Sequence, residues 1–408
     1  MKNDSDSTNA HDDGLGGPLS GIRVLDATQV IAGPHCTMML ADMGADVVKV
    51  ERTGVGDEMR SVGPYKGRDG HQDYFNSINR SKRSIELDLK QERDQRVALA
   101  LAAKADVFVE NFSPGVVERL GLDWGALKAV NSRLVYCSIS GFGQTGPYRD
   151  RLAVDPTIQA LSGVMSVTGE PDGEPMQVGA PLADAMAGMY AAYAIVAALH
   201  GVRDTGQGRF IDISMQDVML ASLSTRVVET LSAGVLPGRA GNGNPNRAPS
   251  GNYLTSDGER INVICVNDKF WPPLCRAIDQ EDLIDDPRYR DMVSRRDNRA
   301  EVERIFSDAF AANTVEYWTK LLDDARAPYA VVNNYTQALD DVQVTHRGVI
   351  RDLDHATSGP IKVVGPPWKM TGSQADMTAP PVLGAHQAEV LSEWLDWDED
   401  RINEFDQG

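Results

Sequence analysis

From Leu19 onward, short β-branched and aliphatic runs alternate with stretches of helical periodicity. Ile22–Asp26 reads as a strand, and Gly33-Pro34 opens a helix through Met43, proline being tolerated in a first turn. Further strands are predicted at Ala45–Glu51, Ser84–Leu89, Asp106–Asn111 and Leu134–Ser140. Helical patterns fill the gaps at Glu92–Ala103, Val116–Leu120 and Trp124–Val130. This alternation predicts an α/β fold with a doubly wound, mostly parallel sheet. After Asp155 the character changes, with helices at Thr157–Val164 and Leu182–His200 and a strand at Phe210–Ser214. The Gly/Asn/Pro-rich stretch Gly238–Gly251 reads as a linker or binding loop. Beyond it, Asn252–Thr255 and Arg260–Val266 form a hairpin pattern around Asp257-Gly258. Helices at Lys269–Ile278, Asn298–Ala312 and Val315–Asp323 complete a smaller α+β domain. The segment from Val331, ending in a helix at His386–Trp397, is expected to return to the first domain. The expected organisation is therefore a tail over 1–17, a large domain over 18–225, a small one over 226–330 and a return over 331–408.

The 408 residues carry a net charge of -19, which disfavours nucleic acid and anionic membrane as partners. An anionic ligand would then need a local pocket of Arg and Lys. Met1–Gly17 is rich in Asp, Ser, Asn and Gly and reads as a disordered tail, not a signal peptide. The longest apolar segment, Met186–Leu199, is short for a membrane span and contains Gly188. Cys36, Cys137, Cys265 and Cys275 are scattered, with no CxxC pair and no metal-ligand spacing, as in a reduced cytoplasmic protein without a metal.

The candidate chemistry centres on Asp184, in Pro181-Leu-Ala-Asp-Ala-Met-Ala-Gly-Met189. A carboxylate at a helix start among small apolar residues is either a cap or a nucleophile toward an acyl carbon. Basic residues cluster at predicted strand ends: Arg52, Lys82, Arg83 and Lys90, with Arg119 beyond the fourth strand. The carboxyl ends of strands line the ligand crevice in open α/β sheets, and such a set suits a ligand with several phosphates. Gly141-Phe-Gly-Gln-Thr-Gly146 matches GxGxxG in form, but Pro147-Tyr148 follows where a dinucleotide fold needs a helix. It reads as a tight turn. There is no GxSxG elbow, and none of the seven histidines neighbours Asp184 in sequence. An aspartate nucleophile without a histidine base suits acyl transfer between carboxylates, where the attacking group has no proton to lose.

Several motifs together resemble the class III coenzyme A transferases, among them the formyl-CoA:oxalate and crotonobetaine CoA-transferases. They are Leu19-Ser-Gly-Ile-Arg-Val-Leu-Asp26, Ala32-Gly-Pro34, Leu40–Arg52, Asn79–Asp88, Val109-Glu-Asn-Phe112, Gly141–Tyr148, Thr205-Gly-Gln-Gly208 and Leu383-Gly-Ala-His386. The resemblance implies a Rossmann-like large domain built from both ends of the chain, a smaller central domain and an interlocked homodimer. It implies that Asp184 is the catalytic aspartate. It also implies coenzyme A contacts at Ile31, Ala32, Arg52, Leu87 to Lys90, Asn111, Phe112, Ser113, Arg119 and Arg151 to Val154. Acyl-CoA and a small carboxylic acid would be substrates, with no tightly bound cofactor.

Ile31 replaces the glutamine that formyl-CoA transferases carry, and Gly241-Asn-Gly-Asn244 replaces their glycine run. The related acyl-CoA racemases carry histidine where this chain has Val154, and a racemase needs a second acid–base group. An acyl-CoA racemase with another histidine near Asp184, and a catalytically silent acyl-CoA-binding protein, are the alternatives.

Overall fold

A computed structural model describes residues 16–63, 72–371 and 376–407. Most of the expected tail, residues 1–15, lies outside them. The chain divides into two compact units: one of residues up to 164, 178–228 and from 347, the other of 165–177 and 229–346.

The first unit is built on β1 (Arg23–Ala27), α1 (Ala32–Asp42), β2 (Asp46–Glu51), α2 (Asp73–Ile78), β3 (Lys82–Glu86) and α3 (Glu92–Ala102). It continues with β4 (Val107–Glu110), α4 (Val116–Arg119), α5 (Trp124–Val130), β5 (Val135–Ser140), α6 (Asp155–Leu161), α7 (Leu182–Thr205), β6 (Arg209–Ser214) and α8 (Met215–Ser222). The helix α9 (Ser224–Ala233) then leads into the second unit.

The six strands form one sheet in the order β3-β2-β1-β4-β5-β6, and every pairing is parallel. Helices on both faces bury it, so β4 and β5 are buried along their whole length instead of alternating. The order reverses between β1 and β4, and in open α/β sheets a ligand crevice opens at that point. β6 joins this sheet beside β5, so the change of character after Asp155 is not the end of the first unit. The third strand begins at Lys82 and ends at Glu86, two residues before its predicted start and three before its predicted end. Its first residues, expected as free cations just before the strand, are paired: Lys82 is buried against Asp26, and Arg83 pairs with Asp46.

One face of the sheet carries α3 and a C-terminal helix, whose Val97, Leu101, Val390, Leu391 and Trp394 join Leu25, Val48, Ile85 and Phe108 in one core. The other carries α1 and α7. Gly188 does not interrupt α7, which is long and apolar enough by length and composition to cross a membrane. Within this unit it is a packing helix, with Ala183, Ala187, Ala191 and Ile195 buried. A Cβ on Gly188 would lie 2.6 Å from the Ala32 carbonyl oxygen and 3.0 Å from His35 Nδ1. Gly188→Ala is therefore expected to push α1 from α7 and destabilise the protein by about 1–3 kcal/mol, measured as a lowered thermal midpoint.

The second unit contains β7 (Ser250–Leu254), β8 (Arg260–Ile264), α10 (Trp271–Ala277), α11 (Met292–Asp297), α12 (Arg299–Phe310), α13 (Val315–Asp324), β9 (Tyr329–Val331), α14 (Tyr335–Leu339) and most of α15 (Val342–Arg347). β7, β8 and β9 pair antiparallel around the predicted hairpin, over a core of Trp271, Phe306, Phe310 and Trp318. The loop beginning at Gly238 is tied down inside this unit. Arg239 donates to the carbonyls of Glu170, Pro171 and Gly173, and Arg299 donates to the carbonyl of Asn244. The chain then returns to the first unit as β10 (Ile350–His355), β11 (Gly359–Val364), α16 (Gln387–Leu395) and α17 (Glu399–Gln407).

Candidate active site

Asp184 lies in the first turn of α7, and the structure separates the two roles that its position allows. The turn is capped by another residue: Asp155 Oδ2 accepts the backbone N–H of Ala183 at 2.7 Å and of Asp184 at 3.1 Å. Gln159 fixes that cap, donating from Nε2 to Asp155 Oδ1 at 2.6 Å while its Oε1 accepts the Val178 N–H at 2.9 Å. The Asp184 carboxylate is thus left without a capping duty. Burial, and then the charge of Asp155, push it up from 3.8 to about 7. A carboxylate stripped of hydrogen bonds and partly of water is a more reactive nucleophile than a solvated one.

Among the described residues, His35, in the first turn of α1, is the histidine brought beside the start of α7. Its ring bonds to the Ala185 backbone, and burial lowers its basicity. Nδ1 is sealed against Gly188 with no partner. That arrangement offers no ring nitrogen positioned to exchange a proton with a substrate carbon, as the racemase alternative requires.

A cleft opens at the carboxyl ends of β1, β2 and β3, beside the point where the strand order reverses. Arg52, Leu87, Asp88, Leu89, Lys90 and Phe112, six of the anticipated coenzyme A contacts, line it together with Thr28, Gln29, Val116 and Leu120. Leu87, Leu89, Phe112, Val116 and Leu120 offer an apolar wall for a flat ring. Arg52 and Lys90 reach the solvent side and have no carboxylate partner among the described residues. Lys49, by contrast, is fully buried and paired with Asp57 at 3.0 Å.

The other anticipated contacts are not among the residues that line this cleft. Ile31 and Ala32 form the entry to α1. Asn111 has its carboxamide engaged by Gln29, accepting that residue's N–H and donating to its carbonyl, each at 2.8 Å. Arg119 lies on α4 between the lining residues Val116 and Leu120. Arg151 is exposed and stacks over Tyr148, 5.1 Å from the ring centroid. In the glycine-rich Gly141–Gly146 turn two backbone donors are occupied: Gly143 N–H bonds to Ser140 Oγ at 3.0 Å and Gln144 N–H to Asp212 at 2.9 Å. Those two amides are not available to a phosphate.

Sequence reasoning missed Asp155, Gln159 and Asp57. Asp155 caps a different helix from its own, bonding to Asp184 29 residues later, and that has no local signature. Among the described residues no group of three or more His, Cys, Asp or Glu side chains is arranged to hold a metal, and all four cysteines are buried and free.

Residues 19–387 match the family model of CoA-transferase family III. The chain belongs to this family. It is therefore an enzyme whose substrates are coenzyme A thioesters. It is 36% identical to succinyl-CoA:glutarate CoA-transferase of Mus musculus over 95% of this chain and 89% of that one. It is 39% identical to succinate–glutarate CoA-transferase of Agrobacterium fabrum over 92% of this chain and 95% of that one. Among solved structures, a CaiB/BaiF family protein from Brucella suis superposes with a TM-score of 0.83 at 33% identity, covering 93% of this chain and 100% of that one.

Proposed function

We propose that this enzyme moves coenzyme A from an acyl-CoA donor to a carboxylic acid through covalent intermediates on Asp184. The observation that carries this reading is the Asp184 carboxylate, at a helix start already capped by Asp155 and held in a partly buried setting.

An Asp184 oxygen attacks the thioester carbonyl, the C–S bond breaks, and a mixed anhydride and the CoA thiolate result. The thiolate attacks the aspartyl carbonyl and expels the donor acid, leaving an aspartyl-CoA thioester. The acceptor carboxylate attacks that carbonyl in turn, releasing the thiolate and forming a second anhydride. Attack of the thiolate on the acceptor carbonyl yields the new thioester and frees Asp184. No proton is transferred in any step, in keeping with a site without a general base. The anhydrides must be kept from water.

Acyl-CoA would lie in the cleft, with Arg52, Lys90, Arg119 and Arg151 toward its phosphates and Leu87 and Phe112 against its apolar parts. Ile31, Ala32 and Asn111 would line the path toward Asp184. The relatives' names support succinyl-CoA as donor and a dicarboxylic acid as acceptor. We also place the chain as an interlocked homodimer. Tyr193 on α7 and Leu231 on α9 are 74% and 79% exposed in the single chain, and a second copy would cover such surfaces.

Intact-protein mass spectrometry after incubation with a panel of acyl-CoAs tests the mechanism. With succinyl-CoA, trapping by hydroxylamine or borohydride is expected to modify the wild type at Asp184 and to leave Asp184→Ala unmodified. Modification at another residue, or exchange of the α-proton with solvent deuterium without any adduct, would overturn the reading.

A further inference from the structure

We propose that Asp57 is a positioning residue for CoA transfer, holding the turn between the acyl-CoA cleft and Asp184's helix in a strained conformation. The proposal rests on acyl-CoA occupying that cleft.

The turn from Thr28 to Ile31 links β1 to α1. Within it Val30 has φ +68°, a left-handed conformation that a β-branched side chain strongly resists. Such strain persists only where the surroundings over-determine it. Here side chains from several strand ends do so. Asp26 Oδ1 accepts the Thr28 N–H at 2.9 Å, and Lys49 Nζ donates to the Thr28 carbonyl at 2.7 Å. Asn111 holds Gln29 through both its N–H and its carbonyl. Among the described residues, Asp57 alone bonds to the strained residue itself, its Oδ1 accepting the Val30 N–H at 3.2 Å.

Asp57 is firmly anchored. Its Oδ1 also accepts the Met59 N–H at 3.0 Å, and its Oδ2 lies 3.0 Å from Lys49 Nζ. Its own N–H bonds to Glu51 Oε2 at 3.0 Å, and Glu51 is gripped by Arg60 and Ser84. The turn is therefore stapled to the Arg52–Asp57 loop, which forms another wall of the same cleft.

The position of the turn gives the staple a function. Thr28 and Gln29 line the cleft, whereas Ala32, two residues after Val30, packs against Gly188, one helical turn beyond Asp184. The φ angle of Val30 thus sets the cleft wall relative to the nucleophile. Attack on a thioester needs the reacting atoms about 3–3.5 Å apart, so a relaxed turn slows acylation even while the far end of CoA stays bound.

The test compares full-length wild type, Asp57→Ala, Val30→Gly, the double variant and Arg52→Ala. Each is measured for CoA affinity at equilibrium, for single-turnover acylation of Asp184 by succinyl-CoA and for thermal midpoint. Asp57→Ala is expected to acylate at least about 10-fold more slowly while binding CoA within about 3-fold of wild type. Glycine adopts a positive φ without strain, so Val30→Gly is expected to keep the wild-type rate and to restore the double variant to within about 3-fold of it. A purely structural role would lower the thermal midpoint of Asp57→Ala without this rescue. The positioning role is overturned by wild-type acylation in Asp57→Ala, by a slow double variant, or by a 10-fold loss in Val30→Gly alone. That last arm decides the matter even if Asp57→Ala does not fold. Arg52→Ala reports on the cleft separately: unchanged CoA affinity overturns acyl-CoA binding there, whereas weakened affinity beside wild-type acylation in Asp57→Ala overturns only the positioning role.

Discussion

Asp184→Asn is expected to lower kcat for CoA transfer by about 10⁴-fold or more and, at alkaline pH, to make the protein more stable than the wild type. The loss of rate follows from the proposed covalent route, since an amide cannot form the anhydride. The gain in stability follows from the environment. Burial and the neighbouring Asp155 raise the Asp184 carboxyl from 3.8 to about 7. Between those pH values the folded protein holds a proton that the unfolded chain has released, so this group's contribution to stability falls as pH rises toward 7. The full shift corresponds to about 4 kcal/mol, and partial solvent access reduces it to about 2 kcal/mol. The thermal midpoint of Asp184→Asn should exceed that of wild type at pH 8, with the difference shrinking toward pH 4. A pH-independent difference would mean that the carboxylate is not destabilised where it sits.

Asp155→Asn should change the pH dependence of catalysis as well as its rate. In the wild type, kcat/KM is expected to rise through an apparent pKa of about 7 as Asp184 ionises to its nucleophilic form. Removing the Asp155 charge removes one of the two causes of that elevation, so the acid limb should move to lower pH. The second cause, burial, remains, so the limb should not fall all the way to the ordinary aspartate range. At the same time an amide accepts the two α7 N–H groups less strongly and turns an N–H toward Gln159 Nε2, itself a donor. That disturbs the helix start, at a cost of about 1–2 kcal/mol in stability and about 10²-fold in the rate at the optimum. The check is a set of pH–rate profiles for the two proteins beside their thermal melts. An acid limb that stays in place would show that Asp155 acts on α7 through its hydrogen bonds alone.

Much of this architecture was legible along the chain because it depends on local periodicity. The apolar runs around Val24, Val47, Val107 and Val135 were read as strands and lie side by side in the parallel sheet. The helical pattern at Trp124–Val130 matches the observed helix at both ends, and the structure adds Asp123 as its cap. The short helices Asp73–Ile78, Tyr335–Leu339 and Val342–Arg347 have no counterpart in the sequence pattern, whereas the equally short Val116–Arg119 does, since so few residues show too little of a 3.6-residue period to be read consistently. The third strand was misplaced because Lys82 and Arg83 look like surface residues until their partners Asp26 and Asp46 are seen.

By itself the sequence determined the α/β alternation, the candidacy of Asp184 and, through its combined motifs, the resemblance to coenzyme A transferases, because each is written in residues a few positions apart. Only the tertiary structure decided which residue caps the start of α7. The answer lies in two hydrogen bonds from the start of α7 to Asp155, which no spacing rule connects to it. It also decided that Asn111 grips a backbone and that Val30, a residue whose local preferences oppose a left-handed turn, adopts one. Local propensity is a matter of a kcal/mol or so per residue. A turn bonded by side chains from neighbouring strands gains more than that, and those bonds exist only once the sheet has formed.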